Sequence, residues 1–420
     1  MIYRIKVIRI SVLKALGLVF CMSYFTSCKQ EIQEKQEVTF KVDLDTIVTG
    51  LNSNFVWSQT FATAYGQDQN QYLATMSKQY IVGSDNYGDL FYSLSKDGKT
   101  WTSPSVVEKS RNAEKSSRFD SVFSDVYPMW HKKTGKVLGT GKIFFYDRAQ
   151  YPDPEIGRGA GYIIYDPEIS KWSGLKTLGF PATTMDGDTI YRPSAGCSQR
   201  FDLENGEILL PIMYEGGWLN NDERNSSCVA KFKFDGEELT ALTVGNSISM
   251  NSGRGIYEPS ITKYENTFYL TMRTDHSAYV AISKDGLNYE EPVEWKFTDG
   301  RILGSYNTQQ HWLANKYGLF LVYTRKGANN DHVFRHRAPL FMAKVDTASL
   351  RVMPETERVM IPERGARLGN FSAYVIDDEN AILATAERIG TEVTKDSIEL
   401  LKVKKLGYNN TLFFSSIKFK

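Results

Sequence analysis

"SLSKDGKTW" at Ser93–Trp101 and "AISKDGLNY" at Ala281–Tyr289 repeat one pattern in distant parts of the chain. Both contain Ser-Lys-Asp-Gly, and in both an aromatic residue follows the glycine after two intervening residues. An aspartate in a hairpin turn accepts backbone N–H groups, and the next glycine adopts the positive φ that such a turn requires. The aromatic ring then packs back under the turn. The repeat therefore predicts two equivalent hairpins.

Short runs of alternating polar and apolar residues surround both stretches and continue along most of the chain. EILLPIMYEGG (207–217) and YGLFLVYTRKG (317–327) are examples, rich in Tyr, Phe, Val, Leu and Ile and ended by glycine turns. Strands this short and regularly spaced indicate an all-β fold, and helical periodicity is almost absent. Roughly 370 residues of such strands are long for a single β-sandwich.

The two repeated stretches resemble the Asp-box of the sialidase superfamily, with one residue fewer between the aspartate and the aromatic residue than its fullest version. In that family the box lies between the third and fourth strands of a propeller blade. The resemblance therefore implies a β-propeller, an architecture that has typically about 4–8 blades. At roughly sixty residues per blade the chain accommodates six, and five or seven blades remain possible.

Two longer segments are similar to sialidases as well. In Gly253–Gly286 a glutamate begins one strand and an arginine ends the next, as in the sialidase stretch that precedes an Asp-box. Gly369–Arg388 is similar to the segment in which a Tyr-Ser pair leads a strand and a glutamate closes the next. The resemblance implies that three arginines hold a substrate carboxylate, an activated tyrosine attacks the sugar and an aspartate handles the proton.

These roles transfer to the chain only in part. Glu258 stands at the place of the activating glutamate and Arg273 at the place of one carboxylate arginine. Arg335 or Arg337 falls close to the place of another arginine.

Two parts of the sialidase pattern are missing. No arginine occurs between Cys28 and the first repeated stretch, and Phe371 stands at the place of the nucleophilic tyrosine. Tyr374 follows three residues later, and Tyr257 precedes Glu258, so that a Tyr–Glu pair could supply nucleophile and base. The departures predict a sialidase-like fold whose chemistry is not that of an ordinary sialidase.

The stretch NNDHVFRHRAPLF (Asn329–Phe341) holds two of the five histidines of the chain. In an extended strand its two histidines would face one side of the sheet and its two arginines the other. So many donors are costly to bury without partners, and a carboxylate or sulfate is one natural partner, so we expect this stretch to line an anion pocket. The residues are His332, His336, Arg335 and Arg337.

Further polar residues complete the predicted site. Asp120 or Asp125 is a candidate acid, and His311 is a candidate catalytic residue. Arg192 and Arg325 are candidate ligands of the acidic group. No cysteine and histidine spacing suggests a zinc site, and no cofactor is predicted.

Three functions are consistent with the sequence. The first is an exo-acting glycoside hydrolase that removes a terminal acidic sugar from a glycan. The second is a polysaccharide lyase acting on uronic acids, in which His311, His332, His336 or Tyr306 would take the C5 proton. The third is a glycan-binding protein without catalysis, because fold alone does not determine function.

The N-terminal segment predicts export. A basic start and an apolar run from Ala15 to Phe25, too short to span a bilayer, resemble a lipoprotein signal peptide over residues 1–27 with Cys28 as the lipidated residue. Residues 28–45 would form a solvated tether, and 46–420 the propeller domain. We expect an outer-membrane lipoprotein of the cell envelope, with cleavage near Ser27 to a free secreted protein as the alternative.

Charge and cysteine content restrict the partners. The chain has 50 basic and 49 acidic residues, and loss of the four basic residues before Cys28 leaves 46 against 49. A balance this close to neutral argues against a nucleic-acid partner. Cys197 and Cys228 would remain after export and could form a disulfide, which spacing alone does not decide.

Overall fold

Six antiparallel sheets form a six-bladed β-propeller, as predicted. The computed structural model describes residues 2–5, 38–50, 55–80, 86–107, 111–112, 120–146, 157–215, 224–390 and 398–420. Most of the predicted signal peptide, Cys28 and the side chain of Asp120 lie outside the described part. The signal peptide and the lipidation of Cys28 therefore stay predictions.

The strands follow one another blade by blade along the chain. Before the first complete blade come β1 (Ile2–Ile5) and β2 (Val38–Val48). Blade 1 contains β3 (Phe55–Tyr65), β4 (Gln71–Tyr80), β5 (Tyr87–Ser95) and β6 (Ser105–Val106). Blade 2 contains β7 (Arg111–Asn112), β8 (Asp120–His131), β9 (Lys136–Tyr146), β10 (Arg158–Asp166), β11 (Lys171–Trp172) and β12 (Lys176–Thr177). Blade 3 contains β13 (Tyr191–Ser194), β14 (Phe201–Asp202), β15 (Glu207–Glu215), β16 (Asn225–Phe234) and β17 (Leu239–Val244).

The second half of the ring repeats this arrangement. Blade 4 contains β18 (Tyr257–Tyr264), β19 (Thr267–Arg273), β20 (Ala278–Ser283) and β21 (Val293–Glu294). Blade 5 contains β22 (His311–Asn315), β23 (Gly318–Tyr323), β24 (Leu340–Asp346), β25 (Arg351–Val352) and β26 (Arg358–Ile361), with 3-10 turns at Phe334–His336 and Pro354–Thr356. Blade 6 contains β27 (Phe371–Val375), β28 (Asn380–Ala386) and β29 (Leu412–Phe419), and helix α1 (Ile398–Lys405) precedes β29. No helix within the described ranges is long and apolar enough to cross a membrane.

The N-terminal strand closes the ring. β2 pairs antiparallel with β29, with Phe40 opposite Phe419, and so supplies the fourth strand of blade 6. Val38, Phe40 and Val42 are buried there because their side chains alternate onto the core face. The predicted tether was therefore too long at its C-terminal end, since the folded domain begins by Val38. β1 pairs with β2 on the outside of the same sheet.

Both repeated turns have the predicted geometry. In the first, Asp97 accepts the backbone N–H groups of Lys99 and Thr100, and Gly98 has φ +72°. In the second, Asp285 accepts those of Leu287 and Asn288. The two turns follow the third strands of blades 1 and 4.

Replacing Asp285 with alanine is expected to lower the free energy of unfolding by about 1 kcal/mol, because the turn N–H groups lose their acceptor. Burial acts to raise the pKa of Asp285, but the hydrogen bonds outweigh it and lower the pKa to about 2. The contribution is thus complete above the unfolded value near 3.8 and is lost as the pH falls toward 2. Urea unfolding of wild type and Asp285→Ala at pH 7 and at low pH measures this contribution. An unchanged unfolding midpoint of the variant at pH 7 would contradict the prediction.

Side chains of the inner strands close the central channel. Tyr127, His311 and Phe371 meet there with ring centroids 5.0–5.2 Å apart. Gln199 donates to the carbonyl oxygens of Trp312 and Ala373 and thereby links blade 3 to blades 5 and 6. The channel is therefore filled by protein at this level.

Cys197 and Cys228 are both buried and carry free thiols. The disulfide that the sequence left open is therefore not formed in this structure.

Candidate active site

Each blade places one non-glycine residue with positive φ at or just before its inner strand. In blades 1 to 4 this residue lies at a β-bulge, which turns its side chain out of the sheet. A positive φ is unfavourable for such residues, and strain of this kind concentrates at functional sites. Together these residues define the channel mouth. They are Gln59 (φ 52°), Asp125 (55°), Arg192 (45°), Glu258 (49°), Asn307 (55°) and Asn370 (62°).

Blades 3 and 4 carry the same local sequence with opposite charges. The residues 191–194 read Tyr-Arg-Pro-Ser and 257–260 read Tyr-Glu-Pro-Ser. Arg192 pairs with Glu215 of the neighbouring strand at 3.2 Å, and Glu258 pairs with Arg273 of its neighbouring strand at 3.0 Å. One backbone arrangement thus presents an arginine in blade 3 and a glutamate in blade 4.

Glu258 is surrounded by cations. Its Oε2 accepts from Nε of Arg273, whose Nη1 also contacts Asn307 Oδ1 at 3.4 Å. Burial acts to raise the pKa of Glu258, but Arg273, Arg337 and Lys142 outweigh it, so the net pKa lies below its usual value. Glu258 is therefore a carboxylate at neutral pH.

Two further arginines are buried in the same region with incomplete hydrogen bonding. Arg337 is 6% exposed and donates through Nη2 to the carbonyl oxygen of Asn307, and its Nε has no partner among the described residues. Arg388 is 7% exposed and donates to Gln79 at 2.7 Å, and its Nε also has no partner in the described part. Burial lowers the pKa of Arg337 to about 9, and repulsion from Arg388 adds to this effect. Three guanidinium groups, those of Arg273, Arg337 and Arg388, are therefore concentrated in the region of the Glu258 carboxylate.

A second carboxylate lies on the blade 2 side of the mouth. Asp125 accepts from Nδ2 of Asn370 at 3.0 Å, and its N–H donates to Gln59. Gly196 packs so closely that a Cβ would lie 2.9 Å from the Asp125 Cβ. Burial raises the pKa of the Cys197 thiol, and Asp125 and Glu258 raise it further. Both carboxylates therefore lie near this thiol at the mouth.

Tyr257 does not face the glutamate that follows it in the chain. Its hydroxyl accepts from Nδ2 of Asn225 at 2.7 Å. Its ring lies between the guanidinium groups of Arg254 and Arg273, at 4.8 and 4.5 Å from the ring centroid. The predicted pairing of Tyr257 with Glu258 as nucleophile and base therefore lacks a hydrogen bond in this structure.

His311 and Tyr374 lie away from the mouth surface. His311 is fully buried beneath it, where Nδ1 bonds to Ser260 and burial lowers the pKa to about 3. It is a neutral core side chain. Tyr374 donates to Gln69 in the turn that follows β3, at the opposite end of the channel. Its assignment to substrate binding is not compatible with that position.

The stretch 329–341 is not the extended strand that the sequence predicted. Phe334–His336 form a 3-10 turn in which Arg335 and His336 both have positive φ. The turn sends Arg337 inward, whereas Arg335 is exposed and lies over the ring of Phe334. Of the two candidate arginines, only Arg337 therefore reaches the pocket.

Two other predicted anion ligands in blade 5 already have acidic partners. His332 is exposed and pairs with Glu363 at 3.1 Å. Arg325 donates to both carboxylate oxygens of Glu357, at 2.8 and 3.0 Å. These pairs leave neither side chain available to the pocket.

Sequence reasoning missed several residues of the mouth. Arg388 supplies a third guanidinium group to the mouth. The sialidase resemblance placed that arginine before the first repeated stretch, where this chain has none. Lys142 of β9 and the amides of Asn307 and Asn370 were also missed. The repeated Tyr-x-Pro-Ser of blades 3 and 4 was the signal that could have revealed the ring of bulges.

A polar groove of about 550 Å³ lies beside the mouth, between blades 3 and 4. Asn225 connects the groove to the mouth, because it lines the groove and also donates a hydrogen bond to the Tyr257 hydroxyl. Hydroxyl, amide and carboxylate groups dominate the lining, including Asp188, Ser226, Ser249 and Asn251. Within the described residues, no group of three or more His, Cys, Asp or Glu side chains could hold a metal ion.

No protein-family model and no curated protein sequence matches the chain. A crystal structure of a protein of unknown function from Dyadobacter fermentans has a TM-score of 0.62 at 14% identity, covering 90% of this chain and 99% of that one. The Trypanosoma rangeli sialidase in complex with the inhibitor DANA gives 0.60 at 14% identity, over 90% of this chain and 59% of that one. A Hadza microbial sialidase has a TM-score of 0.58 at 11% identity, covering 85% of this chain and 65% of that one. The chain thus spans less than two thirds of either sialidase, and the likeness shows a sialidase-like propeller fold.

Proposed function

We propose that the protein binds the terminal acidic sugar of a glycan at the channel mouth and hydrolyses the bond that holds it. One observation carries the proposal: Arg273, Arg337 and Arg388 are buried in one region, and the Nε atoms of Arg337 and Arg388 have no partner among the described residues. Buried guanidinium groups with incomplete hydrogen bonding are costly, and a planar carboxylate matches the guanidinium fork. The acidic group of the sugar would supply the missing partner.

The two carboxylates of the mouth support a role in glycosidic cleavage. Glu258 is ionised and would stabilise the positive charge that develops on the sugar ring in an oxocarbenium-like transition state. It also orients Arg273 through their hydrogen bond. Asp125 would exchange a proton with the leaving oxygen, as the acid of the reaction.

The structural neighbours add support of a general kind. The Trypanosoma rangeli enzyme and the Hadza enzyme are sialidases, and the first was solved with an inhibitor. They favour an acidic glycan as substrate here, while Phe371 at the expected tyrosine place favours a different catalytic group.

The groove between blades 3 and 4 supports binding of the rest of the glycan. Its hydroxyl and amide lining suits neutral, hydroxyl-rich sugars. We also propose that the mature protein is held at the cell envelope by lipid on Cys28, which the short apolar run and its flanks support.

Released-sugar assays on sialosides, uronosides and sulfated oligosaccharides test the function. We expect release of one terminal acidic sugar, with a lower KM for oligosaccharides than for a simple aryl glycoside. New ultraviolet absorbance from an unsaturated uronate would instead establish the lyase reaction. Saturable binding without any released product would establish a binding protein.

The contribution of Arg388 can be separated from general charge effects. Arg388→Gln is expected to raise KM for the acidic substrate by about 10- to 100-fold, because one charge-assisted partner of the carboxylate is lost. Arg325→Gln removes the same charge from a site outside the mouth and is expected to leave KM unchanged. Equal effects of the two variants would contradict a specific anion site at Arg388.

A further inference from the structure

A hydroxyl, an imidazole and a carboxylate form a hydrogen-bonded chain at the rim of the pocket. Tyr306 Oη lies 2.7 Å from His336 Nδ1, and His336 Nε2 lies 3.2 Å from Asp331 Oδ1. The carboxylate favours the imidazole tautomer with its proton on Nε2, which leaves Nδ1 to accept from the tyrosine. This is the arrangement by which a base activates a hydroxyl nucleophile.

Tyr306 and His336 are each adjacent in the chain to a residue of the arginine cluster at the mouth. Tyr306 directly precedes Asn307, which contacts Arg273 and Arg337, and His336 directly precedes Arg337. Burial raises the pKa of Tyr306, while its proximity to Arg335 and Arg337 acts in the opposite direction. An acidic group held by Arg337 would therefore lie on the blade 5 side of the mouth, the side on which Tyr306 and His336 form their hydrogen bond.

The backbone holds this geometry at an energetic cost. Arg335 and His336 have consecutive positive φ values of 56° and 52°. A positive φ is unfavourable in a residue with a side chain, and such strain persists where the structure fixes a functional group. Here it turns His336 toward Tyr306 and Arg337 toward the pocket.

Tyr306 can be compared with its counterpart in blade 4. Tyr257 and Tyr306 each precede the left-handed residue of their blade, Glu258 and Asn307. The hydroxyl of Tyr257 meets the amide donor of Asn225, which cannot take a proton. The hydroxyl of Tyr306 contacts the Nδ1 atom of His336, and an imidazole nitrogen can take a proton. The geometry therefore favours Tyr306 as the reactive hydroxyl.

We propose that Tyr306 is the nucleophile of this site and that His336, oriented by Asp331, takes its proton. The inference rests on the proposed glycoside hydrolysis. In the first step Tyr306 Oη bonds to the anomeric carbon and its proton passes to His336 Nδ1. The bond to the leaving oxygen breaks, and that oxygen keeps the electron pair and takes a proton from the Asp125 carboxyl.

The second step restores every group. The Asp125 carboxylate takes a proton from water as the water oxygen bonds to the anomeric carbon. The bond to Tyr306 then breaks, and its oxygen recovers the proton from His336. Two displacements at one carbon predict that the released sugar keeps its anomeric configuration.

A mechanism-based fluorosugar fluoride of the acidic sugar that wild type releases tests the nucleophile directly. We expect a glycosyl adduct on the tryptic peptide that contains Tyr306, and loss of release by about 10³-fold in Tyr306→Phe. An adduct on another residue, or release unchanged in Tyr306→Phe, overturns the inference while leaving hydrolysis intact. Absence of release from every substrate by wild type overturns the proposed function itself. The labelling of wild type decides the matter even if the variant fails to fold.

The role of His336 has its own measurement. His336→Gln is expected to slow release by about 10²–10⁴-fold at pH 7 and to regain activity as the pH rises and Tyr306 ionises unaided. His332→Gln, an exposed histidine of the same stretch, is the control and should keep the wild-type pH profile. A uniform loss at all pH values in His336→Gln would indicate a structural role and contradict base catalysis.

Discussion

Arg337→Met is expected to weaken binding of the acidic sugar by about 30- to 5,000-fold, the range for truncating one partner of a buried charge pair. The same change should raise the free energy of unfolding of the unliganded protein by about 1–2 kcal/mol, because it replaces a buried cation, whose Nε has no partner in the described part of the chain, with an apolar side chain. Opposite signs for binding and stability are the signature of a residue kept for its ligand. Calorimetric titration with the released sugar and urea unfolding measure the two quantities.

Arg335→Met is the matched control, because it removes an exposed arginine from the same turn. It should leave both the dissociation constant and the unfolding midpoint close to wild type. If Arg337→Met destabilises the unliganded protein, Arg337 is a structural residue whose contacts outweigh its burial cost, and the anion pocket loses its main support.

The blade architecture was predictable because its signal is local. Ser95, Asp97 and Gly98 form a turn whose hydrogen bonds join residues within three positions of one another. The same holds for the turn around Asp285. The pairing of β2 with β29 depends on contacts between opposite ends of the chain, so the tether boundary was misplaced.

The site was predictable only where two strands of one hairpin meet. Glu258 and Arg273 lie near each other because Tyr257 and Arg273 are paired across β18 and β19. Arg337 and Arg388 come from blades 5 and 6, and their approach to Arg273 depends on ring closure. No pattern in the sequence predicts that these two arginines lie close to Arg273.

The turn at 329–341 shows a different limit. The alternation of histidines and arginines suggested a strand, because successive side chains of an extended backbone point to opposite faces. Arg335 and His336 adopt the left-handed conformation instead. Their φ values are unfavourable for side chains of this size, so local propensity argued against the geometry that forms. The disagreement marks the part of the chain that supplies Arg337 and His336 to the site.

Glu258→Gln is expected to have the largest effect on stability, lowering the free energy of unfolding by about 3 kcal/mol, the lower end of the range for breaking a buried ion pair. The variant removes the nearer carboxylate of buried Arg273, at 3.0 Å, and leaves only Asp275 at 3.6 Å to balance it among the other cations. The folded pKa of Glu258 lies below its ordinary 4.5, so its contribution is complete above that value and is lost as the pH falls through the folded pKa. The difference between wild type and variant in urea unfolding should therefore shrink below pH 4.5. Release of the sugar should fall with it, since Glu258 also supplies negative charge at the mouth.

A comparison with Glu357→Gln separates the two roles of Glu258. Glu357 holds Arg325 with both carboxylate oxygens at a site outside the mouth, so its loss also breaks a largely buried pair. Glu357→Gln should destabilise the protein and leave the rate of release per folded molecule unchanged, whereas Glu258→Gln should reduce both. If both variants lose only stability, the charge of Glu258 serves the fold by balancing Arg273, and the transition state must be stabilised by another group.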